Sequence, residues 1–197
     1  QFMKTLEELQ KFISFGYLYL ILMGLLQESL FFNQIGINIL NYSSITDILV
    51  SPIAILTSHP ILLLALVVIS AILFTIPNYL SKRSHKNWIQ KNILKNKPNL
   101  NETETRTFFS NLVIMFFLTT LLCFFLGIGL GMGEKIAERI AKNELEYNTK
   151  MTFGDGNSEN VYLIETNSMY YFYLTKGNQN VKIAPIGTIK NLELIKN

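Results

Sequence analysis

The sequence predicts a multi-pass α-helical membrane protein that carries a small all-β module at its C-terminal end. Three observations lead to this fold class. Apolar residues make up 49% of the 197 residues, and they are concentrated in three long runs. Charged residues are only 16% of the chain, fewer than an average soluble domain contains. After the last apolar run the pattern changes to the alternation that is typical of strands.

The third run, residues 108–133, is the segment around which the chain is organised. It contains no charged residue, and at 1.5 Å per residue it is long enough to cross a bilayer core of about 30 Å. Two earlier runs, residues 12–32 and 61–80, are also long enough. Pro60 stands just before the second of them, which suits a first helical turn. We therefore predict three transmembrane helices.

The segment between the first two spans, residues 37–57, is less regular. Ser44 and Asp47 have the spacing of a capping box at a helix start, and Pro52 could begin a second short helix. We predict that the segment lies along the membrane surface or re-enters the membrane. A fourth span over residues 37–56 is the alternative.

The loop at residues 81–106 is rich in Lys and Arg. Short basic loops stay on the cytoplasmic side, so the second span ends inside and the third span runs outward. We predict a protein of a bacterial inner membrane, with the N-terminus inside if there are three spans and the C-terminal module outside. We also interpret the loop as a contact site for anionic lipid or for a cytoplasmic partner. The alternative is that its charges serve only to keep the loop on the cytoplasmic side. The residues concerned are Lys82, Arg83, Lys86, Trp88 and Lys91.

The region after the third span divides into two parts. Residues 134–146 keep a helical pattern and are predicted to form a stalk that continues from the span. Residues 147–197 contain four or five short alternating segments separated by turn signals, and they are predicted to form a small β-sheet or barrel. Such a module is too small to be an independent enzyme core.

Four glycines at alternate positions end the third span. At about 100° per residue, Gly127 lies close to Gly131 around the helix, and Gly129 lies close to Gly133. The two pairs form two small-residue surfaces on nearly opposite sides. Because a closed ring of subunits needs two different interfaces, we predict that these surfaces make contacts in a cyclic homo-oligomer. Packing within one chain is the alternative.

Two further sets of side chains are candidates for binding. Gln27 and Glu28 lie in the outer part of the first span, where they either make a polar or pore-lining contact or reach the membrane surface. In the β module, an aromatic cluster offers one face for packing and one for binding. The predicted binding face consists of Tyr162, Tyr171 and Tyr173, with ordinary cross-strand packing as the alternative.

Motifs for catalysis are absent from the sequence. It has no HExxH, GxSxG or phosphate-binding loop, and no base is placed beside Cys123. The two histidines, His59 and His85, fall on opposite sides of the membrane in the predicted topology. We therefore expect no enzyme activity, no metal site, no cofactor and no direct nucleic-acid binding.

The polar-interrupted spans YLYLILMGLLQESLFFNQIGINILNYSSITDILVSPI, the Lys-rich inner loop and the strand-rich tail together resemble small membrane components of bacterial antiphage defence operons. The architecture is similar to that of the membrane accessory proteins of type VI-B CRISPR effectors and of the membrane subunit of the Kiwa system. The resemblance implies a self-assembling membrane element that works with a cytoplasmic nucleoprotein or nucleic-acid-binding partner. It extends over most of the chain but rests on no diagnostic motif.

The resulting expectation is an oligomeric membrane accessory or effector of antiphage defence, which senses a signal and alters membrane permeability or the activity of its partner. Two alternatives belong to other classes. One is a non-enzymatic anchor or docking subunit of an envelope complex. The other is a channel or transporter for a small solute, which is disfavoured because the sequence has no internal repeat.

Overall fold

A computed structural model describes residues 2–83 and 102–195. It shows a helical membrane part followed by a C-terminal antiparallel β-sheet, which confirms the predicted fold class. The helices are α1 (Phe2–Gln34), a 3₁₀ turn η1 (Ile39–Asn41), α2 (Ile45–Ser58), α3 (Pro60–Ser81) and α4 (Glu102–Lys142). The strands are β1 (Thr149–Phe153), β2 (Ser158–Thr166), β3 (Tyr170–Thr175), β4 (Lys182–Pro185) and β5 (Ile189–Leu194), with a 3₁₀ turn η2 (Ile186–Thr188) before β5.

Three helices in the described part of the chain are long and apolar enough to cross a membrane. The crossing stretches are Gln10–Gln34 in α1, Pro60–Ser81 in α3 and Thr103–Lys142 in α4. Each exposes many large apolar side chains, as lipid-facing helices do. The protein is therefore a multi-pass membrane protein.

Helix α4 continues without a break from the third apolar run into the region predicted as a stalk. It ends at Lys142, and the next residue, Asn143, has a positive φ of 59°, a common helix-ending conformation. The Arg139 side chain donates a hydrogen bond from Nε to the carbonyl oxygen of Glu144, 3.1 Å away. The membrane helix and the start of the β module are thus joined by rigid helix and a short capped turn.

Helix α2 begins with the predicted capping box. The Asp47 side chain accepts from the backbone N–H of Ser44 at 2.9 Å, and the Asp47 N–H donates to Ser44 Oγ at 3.1 Å. The expectation that Pro52 starts a second helix is wrong, because Pro52 lies inside α2. With 14 residues α2 is about 21 Å long, shorter than a bilayer core, so it is not a fourth span of the predicted kind.

The β module is a five-stranded sheet with the order β4-β3-β2-β1-β5, in which every neighbouring pair is antiparallel. The edge strands β4 and β5 follow each other in the chain and are joined by η2 alone. Hydrogen bonds hold this connection across the sheet: Ile186 N–H donates to the Met169 carbonyl and Gly154 N–H to the Thr188 carbonyl, each at 2.9 Å. The sheet must therefore curl so that a short connection can reach from one edge to the other.

The two faces of the curled sheet belong to different clusters. The inner cluster lies within the module and is built on Met151, Val161, Tyr173 and Ala184. The junction cluster joins Phe172 of β3 to helix-side residues, namely Phe31, Phe32 and Ile39. One face thus supports the module itself, and the other packs against the end of α1.

The chain forms two compact units. The first contains residues 1–53 and 125–197, and so includes α1, the C-terminal part of α4 and the β module. The second contains residues 54–124, with α3 and the first half of α4.

Candidate functional site

The β module meets the end of α1 through aromatic side chains. The rings of Phe32 on α1 and Phe172 on β3 have centroids 4.8 Å apart, and both side chains are buried. Tyr42, just after η1, packs edge-on against Phe172 at 6.2 Å and against Tyr170 at 5.5 Å. Ring pairs at these distances add to the stability that comes from burying their area. The module is therefore packed onto the helix, not tethered beside it.

A turn of the β module docks on the segment that leads into α2. Between β2 and β3, Asn167 donates from Nδ2 to the Tyr42 carbonyl at 3.0 Å. The neighbouring Ser168 donates to Asp47 twice, from N–H to Oδ1 at 3.1 Å and from Oγ to Oδ2 at 2.9 Å. Asp47 thus caps α2 and holds the β module with the same carboxylate.

The environment of Asp47 favours its charged form. Partial burial acts to raise the pKa of this carboxyl, but the hydrogen bonds from Ser44 and Ser168 outweigh it and hold the pKa below the ordinary value. A charged acceptor makes each of these hydrogen bonds stronger than a neutral one would be. The contact between Ser168 of the β module and Asp47, which we call the dock, is therefore strongest when Asp47 is ionised.

Next to this dock, polar side chains from α1 and α2 meet in a buried group. Gln27 and Glu28 are 4% and 7% exposed. The Ser51 hydroxyl lies 2.7 Å from Gln27 Oε1 and also contacts Glu28 Oε1. Gln27 and Glu28 therefore make an interior polar contact with Ser51.

The Ser51 hydroxyl has one proton and faces two acceptor oxygens. It can donate to only one of them. The second contact needs a proton from the partner, either from a protonated Glu28 carboxyl or from a Gln27 amide turned the other way. The group is therefore short of protons unless one of its side chains supplies another.

A second carboxyl, Glu165 on β2, reaches the same place because of a β-bulge. Leu163 pairs with Tyr173 and Glu165 pairs with Phe172, so Ile164 between them is the extra residue. Without the bulge, strand alternation would turn Glu165 to the inner cluster. With it, Glu165 shares the helix-facing side of the sheet with Phe172. Burial, and then the negative charge of Glu28, raise the pKa of Glu165 to about 8.

Glycines allow the helices of this unit to approach closely. A Cβ at Gly129 would overlap the carbonyl of Gln27, and one at Gly133 would lie 2.6 Å from the carbonyl oxygen of Phe31. From Gly129 to Gly133 on α4, and from Gln27 to Phe31 on α1, the contact advances by four residues toward the C-terminus. The two helices therefore run parallel here. The surface of Gly129 and Gly133 is thus filled within one chain, which was the alternative to the predicted subunit contact. At Gly127 and Gly131 an added Cβ would meet open space.

A third close approach joins α1 to α2. The carbonyl of Ile48 lies where a Cβ of Gly24 would stand. In a regular helix this carbonyl would accept from the residue four positions on, but that residue is Pro52, which has no N–H. The Ile48 carbonyl faces the Gly24 backbone, the kind of close approach in which Cα–H groups contact carbonyl oxygens between packed helices. Pro52 and Gly24 are therefore complementary parts of one contact.

The predicted tyrosine face does not form one surface. Tyr171 and Tyr173 belong to the inner cluster, and Tyr173 is 5% exposed. Tyr162 pairs with Leu174 on the opposite face and lies near Arg139 of α4, whose guanidinium is 5.5 Å from the ring centroid. The three side chains have packing roles on two different faces.

The predicted basic loop is described only at its two ends, where α3 extends to Ser81 and α4 begins at Glu102. Arg83 lies over the Tyr79 ring at 4.2 Å, and Lys82 is exposed at the end of α3. The other predicted contact residues, Lys86, Trp88 and Lys91, lie outside the described residues.

The described residues include no group of three or more His, Cys, Asp or Glu side chains that could hold a metal ion. In the second unit a cleft of 110 Å³ between α3 and α4 is lined almost wholly by apolar side chains, with Thr120 as the polar exception. The candidate site is therefore the junction, where the buried Glu28, the half-buried Glu165 and the charged Asp47 lie where the module meets the helices.

Sequence reasoning missed Glu165 and Ser51. The available signal for Glu165 was an acidic residue inside the apolar strand segment NVYLIET. Ser51 stands directly before Pro52 in an apolar segment, and the sequence analysis treats Pro52 as a possible helix start.

A scan against known protein families and searches of curated proteins and of solved structures found no match to this chain.

Proposed function

We propose that this chain is a non-enzymatic membrane accessory or effector protein, in which the β module receives a signal and transmits it to the membrane helices. The supporting observation is the junction. Phe172 packs on Phe32, and Ser168 binds Asp47, so a displacement of the module acts directly on α1 and α2. A packed junction with two alternative arrangements is a common way to convert such a displacement into a helix movement.

The parallel course of α1 and α4 supports the proposed orientation. Two parallel helices place their C-terminal ends on the same side of the bilayer, and a three-span chain does so without a further crossing. Lys82 and Arg83 follow α3 at the start of a basic loop, which belongs inside under the positive-inside rule. In the proposed topology of a bacterial inner membrane, the junction and the β module therefore lie outside.

Self-association is the proposed route from signal to effect. The open positions Gly127 and Gly131 lie four residues apart on α4, a spacing that lets a second helix approach closely. Since Gly129 and Gly133 are filled by α1, a copy of the chain would use the Gly127 side together with a different surface of the neighbouring subunit. Because α1 packs on α4, a shift of α1 would then move α4 and change the contact between subunits.

The place of this protein in antiphage defence rests on the architectural resemblance. The defence role would have the assembled protein alter membrane permeability, or the activity of a cytoplasmic nucleic-acid-binding partner. The anchor of an envelope complex is a second candidate, and one observation favours it. Strand β5 forms an edge of the sheet and Leu194 on it is 80% exposed, so a partner strand could be added there.

The test is a phage challenge of cells that express the chain with its genomic neighbours. We would measure plating efficiency and dye uptake for the wild type, for the chain lacking the junction contact (Phe32→Ala) and for a matched control (Phe12→Ala). Phe12 is the same residue type on the same helix but is 76% exposed. We expect protection to need the chain and to be lost in Phe32→Ala alone, at equal membrane levels of the three proteins.

Two results would contradict the proposal in different ways. Equal protection with and without the chain would exclude the defence role. Protection that needs the chain but is the same in Phe32→Ala and Phe12→Ala would exclude transmission through the junction. The milder variant Ser168→Ala, with Ser158→Ala as its control, keeps the test valid if Phe32→Ala does not accumulate in the membrane.

A further inference from the structure

The carboxyls of Glu28 and Glu165 belong to two surfaces that pack against each other. Phe32 is four residues after Glu28, so it lies on the same side of α1, one turn further along. Glu165 pairs across the sheet with Phe172, and Phe172 packs on Phe32 at 4.8 Å between ring centroids. The two aromatic rings therefore bring the two carboxyls to neighbouring positions at the junction.

Among the described side chains, no positively charged group acts on the pair. The charged group that acts on Glu28 is Asp47 of α2, and the one that acts on Glu165 is Glu28, both of them acidic. The apolar cluster at this junction draws on three elements, with Phe172 on β3, Ile136 on α4 and Ile39 on η1. Two carboxylates in such a place repel each other, and each loses its hydration.

A proton relieves both problems and also completes the hydrogen bonds of Ser51. That hydroxyl faces oxygens of both Gln27 and Glu28 and can donate to only one. When the proton is on Glu28, that carboxyl supplies the missing donor, which a turned Gln27 amide would otherwise supply. We propose that Glu28 and Glu165 form a proton-binding site that holds the β module on α1 while the pair is protonated and releases the module when the proton is lost.

The direction of the pH dependence follows from Glu165. Its pKa in the docked module is raised to about 8 from an ordinary value of 4.5, first by burial and then by the charge of Glu28. Docking is therefore fully favoured at a pH below 4.5, the ordinary pKa of a glutamate. It is weakened as the pH rises through the raised pKa of about 8. Between pH 6 and pH 9 we expect the ratio of released to docked module to rise about 100-fold. This inference needs only the junction and does not rest on a role in defence.

The experiment uses hydrogen exchange on the full chain in lipid bilayers at pH 6 and pH 9. The reporter is the backbone N–H of Ser168, which is donated across the junction to Asp47. An internal reference is the N–H of Val161, a fully buried residue in the middle of the sheet. After correction for the intrinsic pH dependence of exchange, we expect protection of Ser168 to fall about 100-fold and that of Val161 to stay constant.

The variants are Glu165→Gln, which cannot lose a proton, and Glu159→Gln, the same change at an exposed position of the same strand. We expect Glu165→Gln to keep Ser168 protected at both pH values and Glu159→Gln to behave as the wild type. An infrared titration should also show the C=O stretching band of a protonated carboxyl near neutral pH in the wild type and lose it in Glu165→Gln. Constant Ser168 protection in the wild type, or the same fall in Glu165→Gln, would overturn the proposal.

Discussion

Phe172 of the β module lies against Phe32 of α1 with 4.8 Å between the ring centroids, and both side chains are fully buried. This contact joins the β-sheet to a helix that is long and apolar enough to cross a membrane. The two residues are 140 positions apart in the sequence (172 − 32 = 140), so the contact is a tertiary one that no local pattern specifies. The predictions below all concern this unit.

We expect the Phe32→Ala substitution to lower the free energy of unfolding by about 3–5 kcal/mol, because it removes a fully buried ring and leaves a cavity. The Phe12→Ala substitution should have little effect, because Phe12 is exposed to lipid. Thermal unfolding of the two variants in detergent, followed by circular dichroism, checks this. Equal losses for both would show that Phe32 is not buried at a junction.

The glycines of α4 should divide into two classes. The Gly129→Ala substitution should destabilise the fold by about 1–3 kcal/mol, because its Cβ would overlap the Gln27 backbone. The Gly131→Ala substitution should leave stability unchanged or raise it by up to about 1 kcal/mol, because its Cβ meets open space and alanine favours helix. The same unfolding measurement decides between them, and a destabilised Gly131→Ala would contradict the assignment.

Larger residues at the open positions test self-association. Replacing Gly127 and Gly131 together by leucine should lower the oligomer size, since the side chains would block close approach of a second helix. Stability of the monomer should be unaffected. Light scattering of the purified protein in detergent measures the size, and an unchanged size would exclude this surface as a subunit contact.

The dock at Asp47 should respond to acid. In the fold, the pKa of Asp47 lies below its ordinary value of 3.8. The contribution of Asp47 to the free energy of unfolding is therefore present above pH 3.8 and is lost as the pH falls through the lowered pKa. Asp47→Asn should cost about 1 kcal/mol at neutral pH and weaken the decline of stability in acid. Asp155→Asn is the control, since Asp155 bonds only within its own turn to Asn157 in the described contacts. An acid decline that is the same in both variants would contradict the role of Asp47.

Most of the architecture could be predicted from the sequence because it depends on local patterns. Apolar length gave the three spans, and alternation gave a module of four or five strands, of which the structure has five. The capping box at Ser44 and Asp47 was also evident, since it needs only residues three apart. In each case the physical cause acts within one element.

The junction could not be predicted because its causes act between elements. The bulge at Ile164 changes the side of the sheet on which Glu165 lies, and no alternation rule reveals it. Pro52 was interpreted as a helix start, whereas in the fold its missing N–H leaves the Ile48 carbonyl free to face Gly24. The division of the four glycines into packed and open positions likewise depends on where α1 lies.

Disulfide trapping in intact membranes tests the central claim, the docking of the β module on the membrane helices, most directly. In a Cys123→Ala background, cysteines would replace Ser43 and Asn167, whose Oγ and Nδ2 atoms are 3.3 Å apart. A matched pair would replace Ser43 and Ser158, which lies at the start of β2 and whose described side-chain contact is with Thr152. We expect the Ser43 and Asn167 pair to cross-link rapidly under mild oxidation and the Ser43 and Ser158 pair to remain reduced. Equal yields from the two pairs, or no cross-link from the first, would contradict the docking of the β module on the membrane helices.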